Sequence, residues 1–336
     1  MKKFFYFAVF ILCACSCNLF FTSCGDDEDD FGGTNAEVAS ITDLDGNAFR
    51  LYGVGNVRFE YDNSGQLTAI KTEDGTYEYK DGKFVASFED EYYGESWEEV
   101  LAFSTNKDGL ITKGSFSEIT KSGGKVVEED KISFSYSYDS NNQCTSASST
   151  YKFNGLGDGE SYSYEGSGKA TYTWIGGNLT KAQGSFSEKG SGKEGGKTFN
   201  TSLSSKTTVE FTYGEEKSPL RQMPQCIATE ISPIDFGECD VLGVIGLCGK
   251  GPAYLPVKYT YSSEETEDGE TERENYSGDI NITLNANGTI ATENGTRYSY
   301  QPVSDASTRA ANVQAVIKQL RGFRTIMGKH RRHGHK

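Results

Sequence analysis

Histidine is nearly missing from this chain of 336 residues. There are three, His330, His333 and His335, and all belong to the terminal stretch His330-Arg-Arg-His333-Gly-His335. A Ser-His-Asp or Cys-His centre therefore cannot be assembled in the body of the protein. A His-ligated catalytic zinc is excluded on the same ground. The terminal histidines read as a frayed cationic end rather than as a chelator. Phosphate-cradling loops are missing too, because Gly246-x-x-Gly249 and the Gly-Gly pairs lack the strand–helix setting that such loops need. Cations are scarce in the body. Ten of the 33 Lys and Arg lie in residues 1–23 and 309–336, which leaves 23 against all 48 Asp and Glu, or −25 for residues 24–308. So acidic a body is repelled by phosphate backbones and anionic headgroups, and nucleic-acid partners are disfavoured. Within the body the apolar run Val241–Leu247 is too short to cross a bilayer.

Cysteine use divides in two. Cys13, Cys15, Cys17 and Cys24 belong to the first segment, and Cys144, Cys226, Cys239 and Cys248 to the body. The latter four allow three pairings. Cys239 with Cys248 would close a short loop, and the spacing does not match a zinc ribbon. No cofactor is implied, and no metal site. Asp43-Leu-Asp45-Gly46-Asn47 resembles part of a calcium loop but lacks the ligands that should follow, and reads as a turn.

The first segment has the form of a secretory signal. Met1-Lys2-Lys3 supplies positive charge, Phe4–Phe21 is apolar, and Thr22-Ser23-Cys24-Gly25 places small residues before a cysteine. These features point to lipidation at Cys24. Cys17 is the competing site and would strand an apolar Asn18-Leu-Phe-Phe in the mature tail. A plain signal peptide or one membrane helix are the alternatives to a lipid anchor. Asp26-Asp-Glu-Asp-Asp30 follows, a run of carboxylates that stays solvated and reads as a spacer, an export address, or both. The expected divisions are a signal at 1–23, an acidic tether at 24–36, a β domain at 37–303, and a basic helix and tail at 304–336.

The body repeats one unit: aromatic-x-aromatic, an Asp/Asn/Gly turn, then Leu/Ile-Thr. It reads Phe59-Glu-Tyr-Asp-Asn-Ser-Gly65-Gln-Leu67-Thr, returns at Phe103–Thr112, and recurs more weakly from Tyr136, Tyr172 and Ile282. Asp-Gly and Asn-Gly tolerate the positive φ of tight hairpins. Between turns the period is two: Ile132, Phe134, Tyr136 and Tyr138 face one way, Ser133, Ser135 and Ser137 the other. The prediction is an all-β fold, a large antiparallel meander closing into a barrel or a strongly curved sheet. Pro219–Pro256, with Pro224, Pro233 and Pro252, interrupts it; a short helical insert near 239–247 is expected to pack on the sheet. From Ala310 to Met327 the period becomes helical, with Val313, Val316, Ile317, Leu320 and Phe323 on one face. This basic helix is expected to dock on the acidic body, an anionic membrane being the alternative.

The Phe59-x-Tyr-Asp-x-x-Gly-x-Leu-Thr units, the Val241–Leu247 run followed by Gly249-Lys-Gly-Pro-Ala-Tyr-Leu-Pro256, and the late strand pair together resemble the Bacteroidetes DUF4595 family of lipoproteins. The resemblance covers roughly Glu37 to Tyr300. It implies a porin-like fold and an outer-membrane address, and supplies no catalytic residues. A lipid anchor, the absence of a terminal aromatic strand, and charges on both faces of Phe88–Glu99 favour a soluble body over a transmembrane pore.

Tyrosine is abundant, and there are two tryptophans, Trp97 and Trp174. Exposed aromatics on a sheet stack on sugar rings, although most should simply pack as strand residues. Trp97 with Tyr92 and Tyr93, and Trp174, are the candidate ligand contacts. The functional expectation is noncatalytic binding of a glycan or other extracellular ligand at the outer membrane. A scaffold role and a carboxylate-dependent glycoside hydrolase are the alternatives.

Overall fold

The computed structural model describes residues 36–303, apart from 74, 91–93, 158, 159, 195 and 232–240. The signal segment, Cys24, the acidic run, Tyr92, Tyr93, Cys239 and the basic C-terminal helix and tail lie outside the described residues. Ala36, assigned to the tether, is buried, and its carbonyl accepts the Leu67 N–H at 2.9 Å.

The described chain is a single 18-stranded sheet with two short helices. It opens with short strands: β1 (Ile41–Thr42), β2 (Ala48–Val54), β3 (Val57–Tyr61), β4 (Leu67–Lys71), β5 (Thr76–Lys80) and β6 (Lys83–Asp90). The strands then lengthen: β7 (Glu95–Thr105), β8 (Ile111–Ser122), β9 (Lys125–Tyr138), β10 (Cys144–Gly157), β11 (Glu160–Ile175), β12 (Asn178–Glu194) and β13 (Lys197–Lys217). Helices α1 (Gln225–Ile231) and α2 (Val241–Val244) precede β14 (Tyr254–Glu267), β15 (Glu270–Asp279), β16 (Ile282–Leu284), β17 (Ile290–Glu293) and β18 (Thr296–Pro302). From β2 to β15 each strand pairs antiparallel with its chain neighbours, and β18 returns to pair with β2. The sheet is strongly curved rather than closed. At its seam Asp279 ends the ladder with β14, and Ile282 begins the ladder with β17.

The sequence repeats are one hairpin turn used several times. Asp62 Oδ1 accepts the N–H groups of Ser64, Gly65 and Gln66; Asn106 Oδ1 those of Asp108 and Leu110; Asp139 Oδ1 those of Asn141 and Gln143. Gly65, Gly109 and Asn142 take the positive φ that follows. Asp43 does the same for Asp45 and Asn47, so the partial calcium-loop pattern is this turn.

Alternation then decides the two faces. Ile132, Phe134 and Tyr136 are buried, while Ser135 and Ser137 are exposed. Residues 218–231 and 241–253 pack on the concave side as a plug. Ile227, Ala228 and Ile231 of α1 and Leu242, Val244, Ile245 and Leu247 near α2 join Phe59, Phe84, Phe103, Phe134, Tyr172 and Val209 in one core. The expected insert near 239–247 is thus α2, and α1 is a second helix that its proline-rich surroundings concealed. The convex face of the long strands carries Ser133, Ser135, Lys131, Lys152, Ser185 and Lys206, where a lipid-facing barrel would need an apolar band.

The long hairpins outrun the plug, and beyond it the sheet is one layer thick. Aromatic rings lie across glycines on the facing strand. A Cβ on Gly114 would sit 2.3 Å from the Phe134 ring, on Gly190 2.4 Å from Tyr164, on Gly192 2.5 Å from Phe199 and on Gly278 2.5 Å from Tyr259. Each is a directly opposed pair. The ring replaces the missing side chain and covers the bare backbone. On propensity alone Gly114→Ala should strengthen β8. Here the methyl would also meet the Ala102 carbonyl at 2.7 Å. A loss of about 1–3 kcal/mol is expected in thermal or urea unfolding, and unchanged stability would contradict the packing account.

Candidate acid and aromatic site above the plug

The inward parity of β7 runs Phe103, Leu101, Glu99, Trp97, Glu95. Phe103 and Leu101 are fully buried, and the burial decreases outward along the strand. Register carries the same transition to the neighbouring strands. Leu101 faces Phe116, and Phe116 faces Ile132. One step farther out, Glu99 faces Glu118, and Glu118 faces Asp130. The hydrophobic core therefore ends against a row of three carboxylates on adjacent strands. Directly opposed residues have Cβ atoms about 4.5–5.5 Å apart, so like charges there repel.

Two tyrosines border this row. Tyr77 Oη donates to Glu99 Oε2, and the Tyr151 hydroxyl hydrogen-bonds the Asp130 carboxyl. Asp130 Oδ1 is buried without a hydrogen-bond partner among the described residues. Burial, followed by the charges of Glu99, Asp130 and Glu128, pushes Glu118 up to about 7. Burial raises Asp130 to about 6, against the opposing effect of Tyr151. Glu128, next outward on β9, is also raised, by burial and then by Glu95. Near neutral pH Glu118 is therefore partly protonated, so the row can present a donor beside its acceptors.

The sign for stability follows. The folded carboxyls bind protons more tightly than the unfolded chain does, so the Glu118 contribution is fully present below pH 4.5 and lost as pH rises to about 7. Glu118→Gln is expected to flatten this part of the pH–stability curve and to stabilise the protein above pH 7. Solvent screening of the half-buried row limits the gain to about 1 kcal/mol. Denaturant unfolding of both proteins across that range checks it; parallel curves would refute the linkage.

Trp97 stands just beyond the acid row. It opposes Phe88 on β6, with ring centroids 5.3 Å apart and planes at 14°, and it is half-buried. Trp174 is elsewhere and differently used: it packs against the core, and its Nε1 donates to the Cys144 carbonyl at 2.6 Å. Many tyrosines likewise serve structure. The hydroxyls of Tyr61, Tyr138, Tyr213 and Tyr300 donate to the carbonyls of Leu51, Ile111, Leu179 and Ile290. Of the four expected aromatic contacts, Trp97 alone is brought to the acid row among the described residues. Phe88, Tyr77, Tyr151, Glu99, Glu118 and Asp130 join it without having been singled out in the sequence. Their signal was the inward parity of β7, which can be extended outward from Phe103.

Cys248 is buried. The expected pairing with Cys239 lies outside the described residues on the Cys239 side. Leu247 O accepts the Ile111 N–H, and Lys250 N–H donates to Asn142 O, which lays Cys248 alongside Cys144. Burial pushes the Cys144 thiol well up. Among the described residues no group of three or more His, Cys, Asp or Glu is arranged to hold a metal ion.

No protein family and no curated protein matches this chain. Among solved structures, a porin-like protein from Bacteroides vulgatus is 13% identical, covering 80% of this chain and 99% of its own, with a TM-score of 0.33. A porin-like protein from Bacteroides uniformis is 14% identical, covering 65% of this chain and 97% of its own, with a TM-score of 0.24. Likeness at this level carries no inference about function.

Proposed function

We propose that the protein is a noncatalytic binding module for an extracellular glycan, exported and tethered at the outer membrane through Cys24. The observation that carries the reading is the Phe88–Trp97 stack set beside Glu99, Glu118 and Asp130 on the concave side of the sheet. Stacked aromatics offer an apolar plane with polar groups at its edge, the pairing that a sugar ring presents in reverse. Protonated and ionised carboxyls side by side donate to and accept from hydroxyls. Lys131, Lys152, Lys169, Lys189, Lys206 and Lys258 all sit at the opposite parity of their strands, so the concave side favours uncharged ligands over anionic ones. The address rests on the sequence from Met1 to Asp30 and on the DUF4595 resemblance.

The test is calorimetric titration of neutral polysaccharides into wild type and Trp97→Ala. An affinity loss of about tenfold or more is expected. Equal affinity for the two proteins would overturn the site.

One observation favours a second reading, a carboxylate-dependent glycoside hydrolase. Glu118, held up to about 7, is suited to act as a general acid, and it stands directly between two carboxylates. Release of reducing ends from a bound polysaccharide, abolished in Glu118→Gln, would establish the hydrolase. Unaltered polysaccharide after prolonged incubation supports the binding module.

A further inference from the structure

The Trp97 stack is one end of a longer row. Trp97 is opposed by Thr120, Thr120 by Glu128, Glu128 by Gly155 and Gly155 by Tyr162. Gly192 then carries the same row from Tyr162 to Phe199. At this far end Tyr162 and Phe199 form a second aromatic pair, with centroids 6.0 Å apart. Both are half-buried. The Phe199 ring occupies the space of a Cβ on Gly192, which would lie 2.5 Å from it, so the ring lies down on the sheet.

Between the two pairs stand Thr120, which is short, Glu128, which adds a carboxyl to those of the acid row, and Gly155, which has no side chain. A Cβ there would come within 3.1 Å of Phe153 and 3.5 Å of Tyr162, so the two rings pack closely over that position. From Trp97 on β7 to Tyr162 on β11 is four strand spacings. At ~4.8 Å each this gives a trough about 19 Å long, the length of an oligosaccharide of about four rings. Glu99, Glu118 and Asp130 run along its plug side.

We infer that the ligand is an uncharged polysaccharide lying across the strands in this trough, gripped at one end by Phe88 and Trp97 and at the other by Tyr162 and Phe199. The inference rests on the proposed binding role and adds to it a second clamp, a direction of binding and a minimum ligand length. The chemistry is that of the trough itself: planar apolar grips at two ends, hydroxyl-pairing carboxyls between them, and Lys131, Lys152, Lys169, Lys189, Lys206 and Lys258 at the outward parity, with Lys197 at the β13 tip the inward exception. Joining two grips through one ligand makes the second contact intramolecular, so affinity should climb once the ligand reaches both.

The experiment titrates the full-length protein with neutral gluco-, manno- and xylo-oligosaccharides graded from disaccharide to octasaccharide, with the soluble parent polymers, and with polygalacturonate as the anionic control. Wild type should gain about tenfold or more in affinity between the disaccharide and the hexasaccharide of the preferred series. Phe199→Ala and Tyr162→Ala should each lose that gain, and Trp97→Ala should weaken binding of the ligands that span both grips. Circular dichroism confirms that each variant is folded. Length-independent affinity, or a gain unchanged in both far-end variants, would overturn the second clamp while leaving the Trp97 site standing. Preference for polygalacturonate would overturn the charge argument. Binding of none of the neutral probes would overturn the Trp97 site, and the clamp with it.

Discussion

Replacing Glu293 by alanine should cost the fold about 3 kcal/mol, more than any other single carboxylate described here. Glu293, on β17, is 3% exposed and reaches the start of α1. Its Oε1 accepts the Cys226 N–H at 2.7 Å, and its Oε2 accepts the Gln225 N–H and the Tyr298 hydroxyl, each at 2.7 Å. The first N–H groups of a helix have no partner within it, and here the plug's own strand neighbour supplies the cap. Alanine would leave the Cys226 amide and the Tyr298 O–H without their acceptor beside a void, each costing about 1–3 kcal/mol less whatever relaxation recovers, while the Gln225 N–H keeps the Tyr298 hydroxyl oxygen at 3.0 Å. Glu293→Gln keeps one carbonyl oxygen but turns an amide toward the N–H groups, so about half the loss is expected. Urea unfolding at constant m checks both values. A loss below about 1 kcal/mol for alanine would mean that the plug is not held from this side.

Phe103→Ala should be comparably costly, about 3–5 kcal/mol. Phe103 is fully buried, lies parallel to Phe84 at 6.3 Å, and sits in the core with fully buried Leu101 and Ile111. Deleting the ring removes its burial and leaves a cavity between the sheet and the plug. Trp97 lies on the same strand at the same parity, yet its deletion should cost binding rather than stability, because it is beyond the plug. The contrast is itself the measurement. If Phe103→Ala and Trp97→Ala lose equal stability, the core does not end where the acid row begins.

Much of the fold was legible because its determinants are local. The Asp-x-x-Gly turns, the alternation of Ile132, Phe134, Tyr136 and Tyr138 against serines, and the switch at Pro219 each depend on neighbours within a few residues. Helix α1 was not legible. It is a single short segment in a proline-rich stretch, stabilised by Glu293 from a strand 67 and 68 residues away. The candidate site was half legible. Trp97 stood out as a rare residue, whereas Glu99, Glu118 and Asp130 were three among 48 acids. Trp174 and the tyrosines that bond backbone carbonyls have the same composition signal as Trp97 and a structural use.

Charge, composition and two-residue periodicity are written residue by residue, and they suffice to specify an acidic, histidine-poor, all-β body of repeated hairpins. Only the tertiary structure decided that the core stops at Leu101, Phe116 and Ile132, that three acids then meet side by side, and that Trp97 and Tyr162 share one row. Those facts depend on cross-strand register and on where the plug crosses the sheet. A slip of one residue in any hairpin would turn its inward set outward, and no local pattern records how far along a strand the plug reaches.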